Sequence, residues 1–284
     1  MPRSARLDAP GTLHHVIIRG IERGGIVDDD KDRQSFVDRL GQLSVDLDTP
    51  IYAWALMTNH AHMLIRSGAV GLPAFMRKLL TGYAINYNRR HNRYGHLFQN
   101  RYKSIVCEED VYFKELVRYI HLNPLRAGLV DTMQKLDWYR WCGHSVIVGR
   151  RENSWQTRDY VLRGFGDRKK EAVTKYRHFV EQGVAIGNQP NLVGGGLIRS
   201  AGGWSEIKAL RRIGDRQASD QRILGGGDFV EQITKQIDLE KKYRLSGKDR
   251  MEKARSLINE TCRNRSISIE ALKSGSRLGE VSRV

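Results

Sequence analysis

Two strand-like runs, residues 51–57 and 60–66, are separated by only Thr58 and Asn59. So short a connection joins neighbouring strands that run in opposite directions. An antiparallel sheet containing this tight turn is therefore expected. The second run opens with His60-Ala61-His62. Strand side chains alternate faces with a period of two, so His60 and His62 point to the same side. Two neighbouring imidazoles can share a metal ion or act as paired acid and base. Half-buried strand histidines with no ligand give the same pattern.

The flanking sequence supplies the rest of a sheet-and-helix pattern. Residues 13–19 are rich in β-branched side chains and read as a first strand. Asp29 or Asp30 can cap a helix over 31–46, with Phe36, Val37, Leu40 and Leu43 on one face. A second helix is expected over 72–91, a fourth strand near 102–107, and a third helix from Glu108-Glu109-Asp110 to Asn123, stopped by Pro124. The order β-α-β-β-α-β-α is a split βαβ, giving an α+β fold with a ferredoxin-like antiparallel sheet.

Charge points to a polyanionic partner. The net charge is +16, and no Asp or Glu occurs between Ile51 and Cys107. That same stretch carries Arg66, Arg77, Lys78, Arg89, Arg90, Arg93, Arg101 and Lys103. A single-sign field around the histidine pair suits nucleic acid, although membrane surfaces also attract basic proteins. No apolar run is long enough for a transmembrane helix, and no signal peptide is evident. Three scattered cysteines give neither a disulfide framework nor a CxxC site, which fits a cytoplasmic protein.

The third helix adds Tyr119 and Asn123, one turn apart on one face. Asn123 offers an oxygen ligand and Tyr119 a phenolic nucleophile. With His60 and His62 they would make a small, open metal site suited to Mg²⁺ or Mn²⁺, with room for phosphate and water. The plain alternatives are a core tyrosine and a helix-ending asparagine before proline.

Several stretches together resemble the IS200/IS605-like tyrosine transposases of the HUH endonuclease superfamily, in particular the REP-associated branch. They are Gly11-Thr12-Leu13-His14-His15-Val16 with Arg19-Gly20, Thr58-Asn59-His60-Ala61-His62, Asn88-Arg89-Arg90-His91, Gly95-His96-Leu97-Phe98-Gln99, Arg101-Tyr102-Lys103, and Tyr119 through Val130. The resemblance covers about residues 8–145. It implies that His60, His62 and Asn123 hold a divalent metal, Mg²⁺ or Mn²⁺, and that Tyr119 is the nucleophile. It implies cleavage and rejoining of single-stranded DNA through a 5′-phosphotyrosine, in DNA transposition or REP-element processing. A homodimer and a DNA partner carrying hairpins are also implied. Ala61 is smaller than the residue usual at its position, and no chemistry attaches to His14 or His15.

Arg19, Arg89, Arg90, Arg101, Lys103 and Arg126 are candidate DNA contacts, and Tyr83, Tyr87, Tyr94 and Phe98 are candidate base-stacking residues. Other functions remain open. They are a DNA-binding regulator of the same fold without cleavage, a sheet-based RNA-binding module, and a histidine-triad hydrolase, which Leu64 argues against.

Three regions are expected: the nuclease domain over 1–146, a linker with helical and loop-rich character over 147–227, and a mainly helical part over 228–284. Gly194-Gly195-Gly196, Gly202-Gly203 and Gly225-Gly226-Gly227 match no phosphate-loop spacing. In the last region, Ala254-Arg255-Ser256-Leu257, Ile267 through Lys273 and Ser276-Arg277 resemble the start of a DnaA-like helix-turn-helix domain.

Overall fold

In a computed structural model, which describes residues 6–99, 101–187, 189–193, 218–243 and 247–264, the expected hairpin forms. Strand β2 (Ile51–Leu56) pairs antiparallel with β3 (His60–Arg66). Strand β1 (Leu13–Arg19) lies between β3 and β4 (Lys103–Cys107), antiparallel to both. The spatial order β2-β3-β1-β4 is the ferredoxin-like arrangement. A two-residue strand, β5 (Ile223–Leu224), pairs in parallel with β4 and makes the sheet five-stranded and mixed. It was not expected from the sequence.

Each face of the sheet is covered. Helices α1 (Asp30–Asp46) and α2 (Leu72–Arg90) pack on one face, where Val16, Ile18, Trp54, Ala61 and Met63 meet Phe36, Leu40, Phe75 and Leu79. Asp29 caps α1 by accepting from the amides of Lys31 and Asp32. Arg90 at the end of α2 pairs with Asp29 and Asp32, and His91 also meets Asp32. These pairs tie the end of one helix to the start of the other.

Helix α3 (Glu109–His121) covers the other face with Leu116, Val117 and Ile120. It ends two residues before Asn123, where the sequence pattern had placed its end. Pro124 explains the stop, because it has no N–H to offer the carbonyl of Ile120. The Asn123 side chain supplies the missing donor: Nδ2 donates to the carbonyls of Tyr119 at 2.9 Å and Ile120 at 3.3 Å. A new short helix, α4 (Asn123–Arg126), starts there.

The chain continues through α5 (Met133–Trp138), α6 (His144–Ile147), α7 (Arg158–Arg163) and α8 (Lys169–Gln182). Met133, Ile147, Val161, Leu162, Tyr176 and Val180 join the same core as α3. The region from residue 147, expected as a linker with helical and loop-rich parts, carries core side chains on its helices. A buried polar chain runs through this layer. The Tyr176 hydroxyl lies 2.7 Å from His121 Nδ1 and 2.8 Å from His144 Nδ1, and His144 Nε2 lies 2.9 Å from Asp137. Asp137 also accepts from Arg177 Nε at 2.9 Å.

Two compact units divide the chain at Lys235/Gln236, so the boundary expected at 146/147 falls inside the first. Helix α9 (Gly227–Tyr243) begins in the first unit and ends in the second, which also holds α10 (Gly247–Asn264). Among the described residues, no helix is long and apolar enough to cross a membrane. The glycine clusters at 194–196 and 202–203, and the DnaA-like stretch from Ile267 to Arg277, lie outside the described residues.

Candidate active site

The register of β1 against β3 sets the site. Arg19 is opposite His60, Ile17 opposite His62, and His15 opposite Leu64. With a period of two, all six residues share one face of the sheet. It is the face covered by α3, so Tyr119 comes down onto the histidines. The ring centroids of His60 and His62 are 5.3 Å apart, and that of Tyr119 is 5.8 Å from His62. Residues far apart in sequence, on β3 and α3, are thereby brought together.

Hydrogen bonds decide which nitrogen each histidine presents. Asn59 Nδ2 donates to the carbonyl of Arg23 at 2.9 Å, which turns its Oδ1 toward His60. That oxygen lies 2.7 Å from His60 Nδ1, so Nδ1 carries the proton and Nε2 keeps its lone pair. His62 is set through His15, a residue without a role in the sequence reading. His15 Nδ1 lies 2.9 Å from the carbonyl of Leu192, which can only accept, so the proton is on Nδ1. His15 Nε2 is then an acceptor, 2.9 Å from His62 Nδ1, which must donate. His62 is left with its lone pair on Nε2. Both histidines thus hold their Nδ1 protons in hydrogen bonds and offer Nε2, the arrangement that metal-binding histidines use.

The rings offer Nε2 in this way only when they are neutral. Burial lowers the pKa of His15 to about 4 and that of His60 to about 4. Burial also holds His62 well below its ordinary value, with the neighbouring His15, His60 and Arg19 acting in the same direction. Tyr119 is 6% exposed, and burial raises its phenol pKa while Arg126 opposes the shift. The Arg126 guanidinium carbon lies 5.3 Å from the Tyr119 ring centroid.

Asn123 sits one turn from Tyr119, with its Nδ2 engaged by the two helix carbonyls. Its Oδ1 is therefore the atom it can offer a metal. Two imidazole nitrogens and one amide oxygen suit a divalent ion that keeps open positions.

The six candidate DNA contacts separate into groups. Arg19, Lys103 and Arg126 border the histidine–tyrosine face; Lys103 is in register with Ile17, and its Nζ donates to the carbonyl of Val193 at 2.5 Å. Arg101 is exposed just before β4. Arg89 and Arg90 end α2, on the other side of the sheet, and Arg90 is paired with Asp29 and Asp32. Of the candidate stacking aromatics, Tyr83 and Tyr87 are core residues, with the Tyr83 hydroxyl donating to the carbonyl of Ile26. Phe98 is half-buried, whereas Tyr94 is 94% exposed.

Residues 11–123 match the family described as Transposase IS200 like. The IS200-like domain so defined runs from before β1 to Asn123 and holds His60, His62, Tyr119 and Asn123. It is less than half of the chain and does not reach the DnaA-like stretch. A solved structure described as a REP-associated tyrosine transposase bound to a REP hairpin is similar to this chain at 16% identity and a TM-score of 0.44, over 53% of this chain and 87% of the other. No curated protein matches. His15 lies within the IS200-like domain but Leu192 does not. Strand parity was the signal that could have found His15, because positions 15, 17 and 19 face the same way as 60 and 62.

Proposed function

We propose that the IS200-like domain nicks and rejoins single-stranded DNA, in transposition or in processing of REP-type hairpin elements. The observation that carries this reading is the placement of Tyr119 over His62, with both histidines turned to offer Nε2. Tyr119 Oη attacks the scissile phosphorus and gives up its proton. The P–O bond to the 3′ oxygen breaks and that oxygen takes up a proton, leaving a 5′-phosphotyrosine and a strand that ends in a 3′ hydroxyl. The reverse step, with the hydroxyl of another strand as nucleophile, rejoins DNA without further energy input. His60, His62 and Asn123 would hold Mg²⁺ or Mn²⁺, which when bound polarises a nonbridging phosphate oxygen.

Arg126 lies against the Tyr119 ring, where its charge favours the phenolate, and Arg19 stands beside His60, where a phosphate would be held. Burial of Tyr119 keeps water from competing with the 3′ hydroxyl for the phosphotyrosine. It also raises the phenol pKa, so proton removal must accompany attack. The DNA partner carries hairpins, and the working form is a homodimer.

The test is a denaturing gel of the full chain mixed with labelled single-stranded DNA from its flanking sequence, with Mg²⁺ and with chelator. A covalent protein–DNA band that needs the metal supports the reading. Tight binding without that band would instead assign a regulator of the same fold.

A further inference from the structure

On the far side of edge strand β2 from β3, residues 138–151 build a feature that the nicking face does not use. The carbonyl of Trp141 accepts from Leu56 N at 2.9 Å, which anchors this segment along β2. Trp138, the last residue of α5, is 58% exposed. Its helix is fixed by Thr132, whose hydroxyl accepts from Lys135 N at 3.2 Å. The indole is therefore held out from a capped helix.

Two adjoining cavities open here. The larger, about 550 Å³, is walled by Trp138, Tyr139 and Trp141 with Lys135, Arg140 and Arg151. The smaller, about 250 Å³, shares Arg140, Trp141 and Arg151 and adds Arg150, with Gln34 and Glu152 among its lining. Arg140, Trp141 and Arg151 line both cavities, so aromatic and cationic side chains stand side by side along the recess.

The arginines are placed by neutral groups. Arg140 Nη2 donates to Gln34 Oε1 at 2.9 Å, and its guanidinium lies 4.4 Å from the Trp141 ring centroid. Arg151 Nε reaches the Trp138 carbonyl at 3.5 Å, and the Arg150 guanidinium lies 5.0 Å from the Trp138 ring centroid. Among the described residues, none of these three forms an ion pair with a carboxylate, whereas Lys135 is paired with Asp131 at 2.8 Å. Guanidiniums oriented by neutral acceptors keep their remaining N–H donors and full charge for an anion.

We propose that this groove is a second binding site, for an unpaired nucleotide of single-stranded DNA. Its base stacks on Trp138, and its phosphates lie against Arg140 and Arg151. Aromatic platforms beside cationic grooves bind single strands with little sequence preference. An acidic peptide would meet the charge but would leave the flat aromatic room unfilled. The Trp141 side chain belongs to the core between the sheet and α1–α2, on the opposite face from Tyr119. The groove is therefore separate from the nicking face and stands whether or not that face cleaves.

The full chain is crosslinked by ultraviolet light to an oligothymidylate carrying bromodeoxyuridine, and the products are mapped by mass spectrometry. Crosslinks are expected on the peptide that contains Trp138. In anisotropy titrations with oligothymidylate, Trp138→Ala and the pair Arg140→Ala, Arg151→Ala should each weaken affinity about fivefold or more, while Trp138→Phe stays near wild type. Melting temperatures confirm that each variant is folded. Unchanged affinity in folded variants, or crosslinks that avoid this peptide, would overturn the proposal. So would polyglutamate that binds with the same dependence on Trp138. Loss of the covalent band with the Trp138 crosslink intact would remove the nicking reading and leave this one standing.

Discussion

His15 Nε2 lies 2.9 Å from His62 Nδ1, and the carbonyl of Leu192 lies 2.9 Å from the other nitrogen of His15. Three groups in line thus fix where the His62 proton sits. Replacing His15 by Phe keeps a ring but removes the acceptor. The His62 proton is then free to move to Nε2, which blocks that atom as a ligand. Affinity for Mn²⁺, read by paramagnetic resonance, should fall about tenfold or more. Nitrogen-15 spectra of the imidazoles should show His62 protonated on Nδ1 in the wild type. A proton found on Nε2 there would contradict the assignment.

Tyr119→Phe should abolish the covalent DNA adduct while hairpin affinity stays within severalfold. Tyr112→Phe, two turns earlier on α3, should retain the adduct. A phosphonucleotide mapped to any residue other than Tyr119 defeats the mechanism.

Arg19 and Arg90 should behave differently in salt. Arg19→Ala removes a charge facing the histidine pair, and the slope of log affinity against log salt should fall by about 0.7, the value for one contact to a single strand. Arg90 is already held by Asp29 and Asp32. Arg90→Ala should leave the slope unchanged and lower the melting temperature.

Stability should decline as pH falls below about 6.5. His15 and His60 have folded pKa values near 4, below the ordinary 6.5. Between those limits the unfolded chain binds more protons than the folded one, so stability is complete above 6.5 and drains away toward 4. For fully buried His15 alone the shift corresponds to at most on the order of 3 kcal/mol. The lowered carboxylates Asp8, Asp32 and Asp137 act in the same direction only at still lower pH. Urea titrations at intervals from pH 7 to 4.5 measure this, and a flat profile would count against neutral buried histidines.

Tyr176→Phe should destabilise the fold by about 1–3 kcal/mol, because the Tyr176 hydroxyl bridges His121 and His144 and its loss leaves buried nitrogens unpaired. Urea denaturation reads the change directly. An unperturbed midpoint would mean that water replaces the hydroxyl.

Much of the first 123 residues was legible because local pattern and tertiary role agree there. The Thr58-Asn59 turn, the alternation through His60 and His62, and the apolar face of α2 each carry their own periodic signal. The rest fails for specific physical reasons. Ile223 and Leu224 are too few to show a period, and their pairing with β4 depends on a chain return of more than a hundred residues. The carbonyl of Leu192 is a backbone group that any residue would supply. Helix α3 stops at His121, two residues short of the expected end, because Pro124 lacks an N–H and the Asn123 side chain donates to the carbonyls of Tyr119 and Ile120 instead, a bond that spacing does not show. The charge of Arg90 looks free in sequence because its carboxylates lie about sixty residues earlier.

The Leu192 carbonyl has a consequence for how this protein can be cut and reused. A fragment excised at residue 146 would keep both histidines, the tyrosine and the asparagine, and so every side chain of the proposed chemistry. It would lose the one acceptor that tells His15, and through it His62, which way to face. The histidine–tyrosine face is therefore not a portable cassette. Grafting it onto another scaffold would require carrying along the turn of backbone at Leu192 that sets the direction of His15.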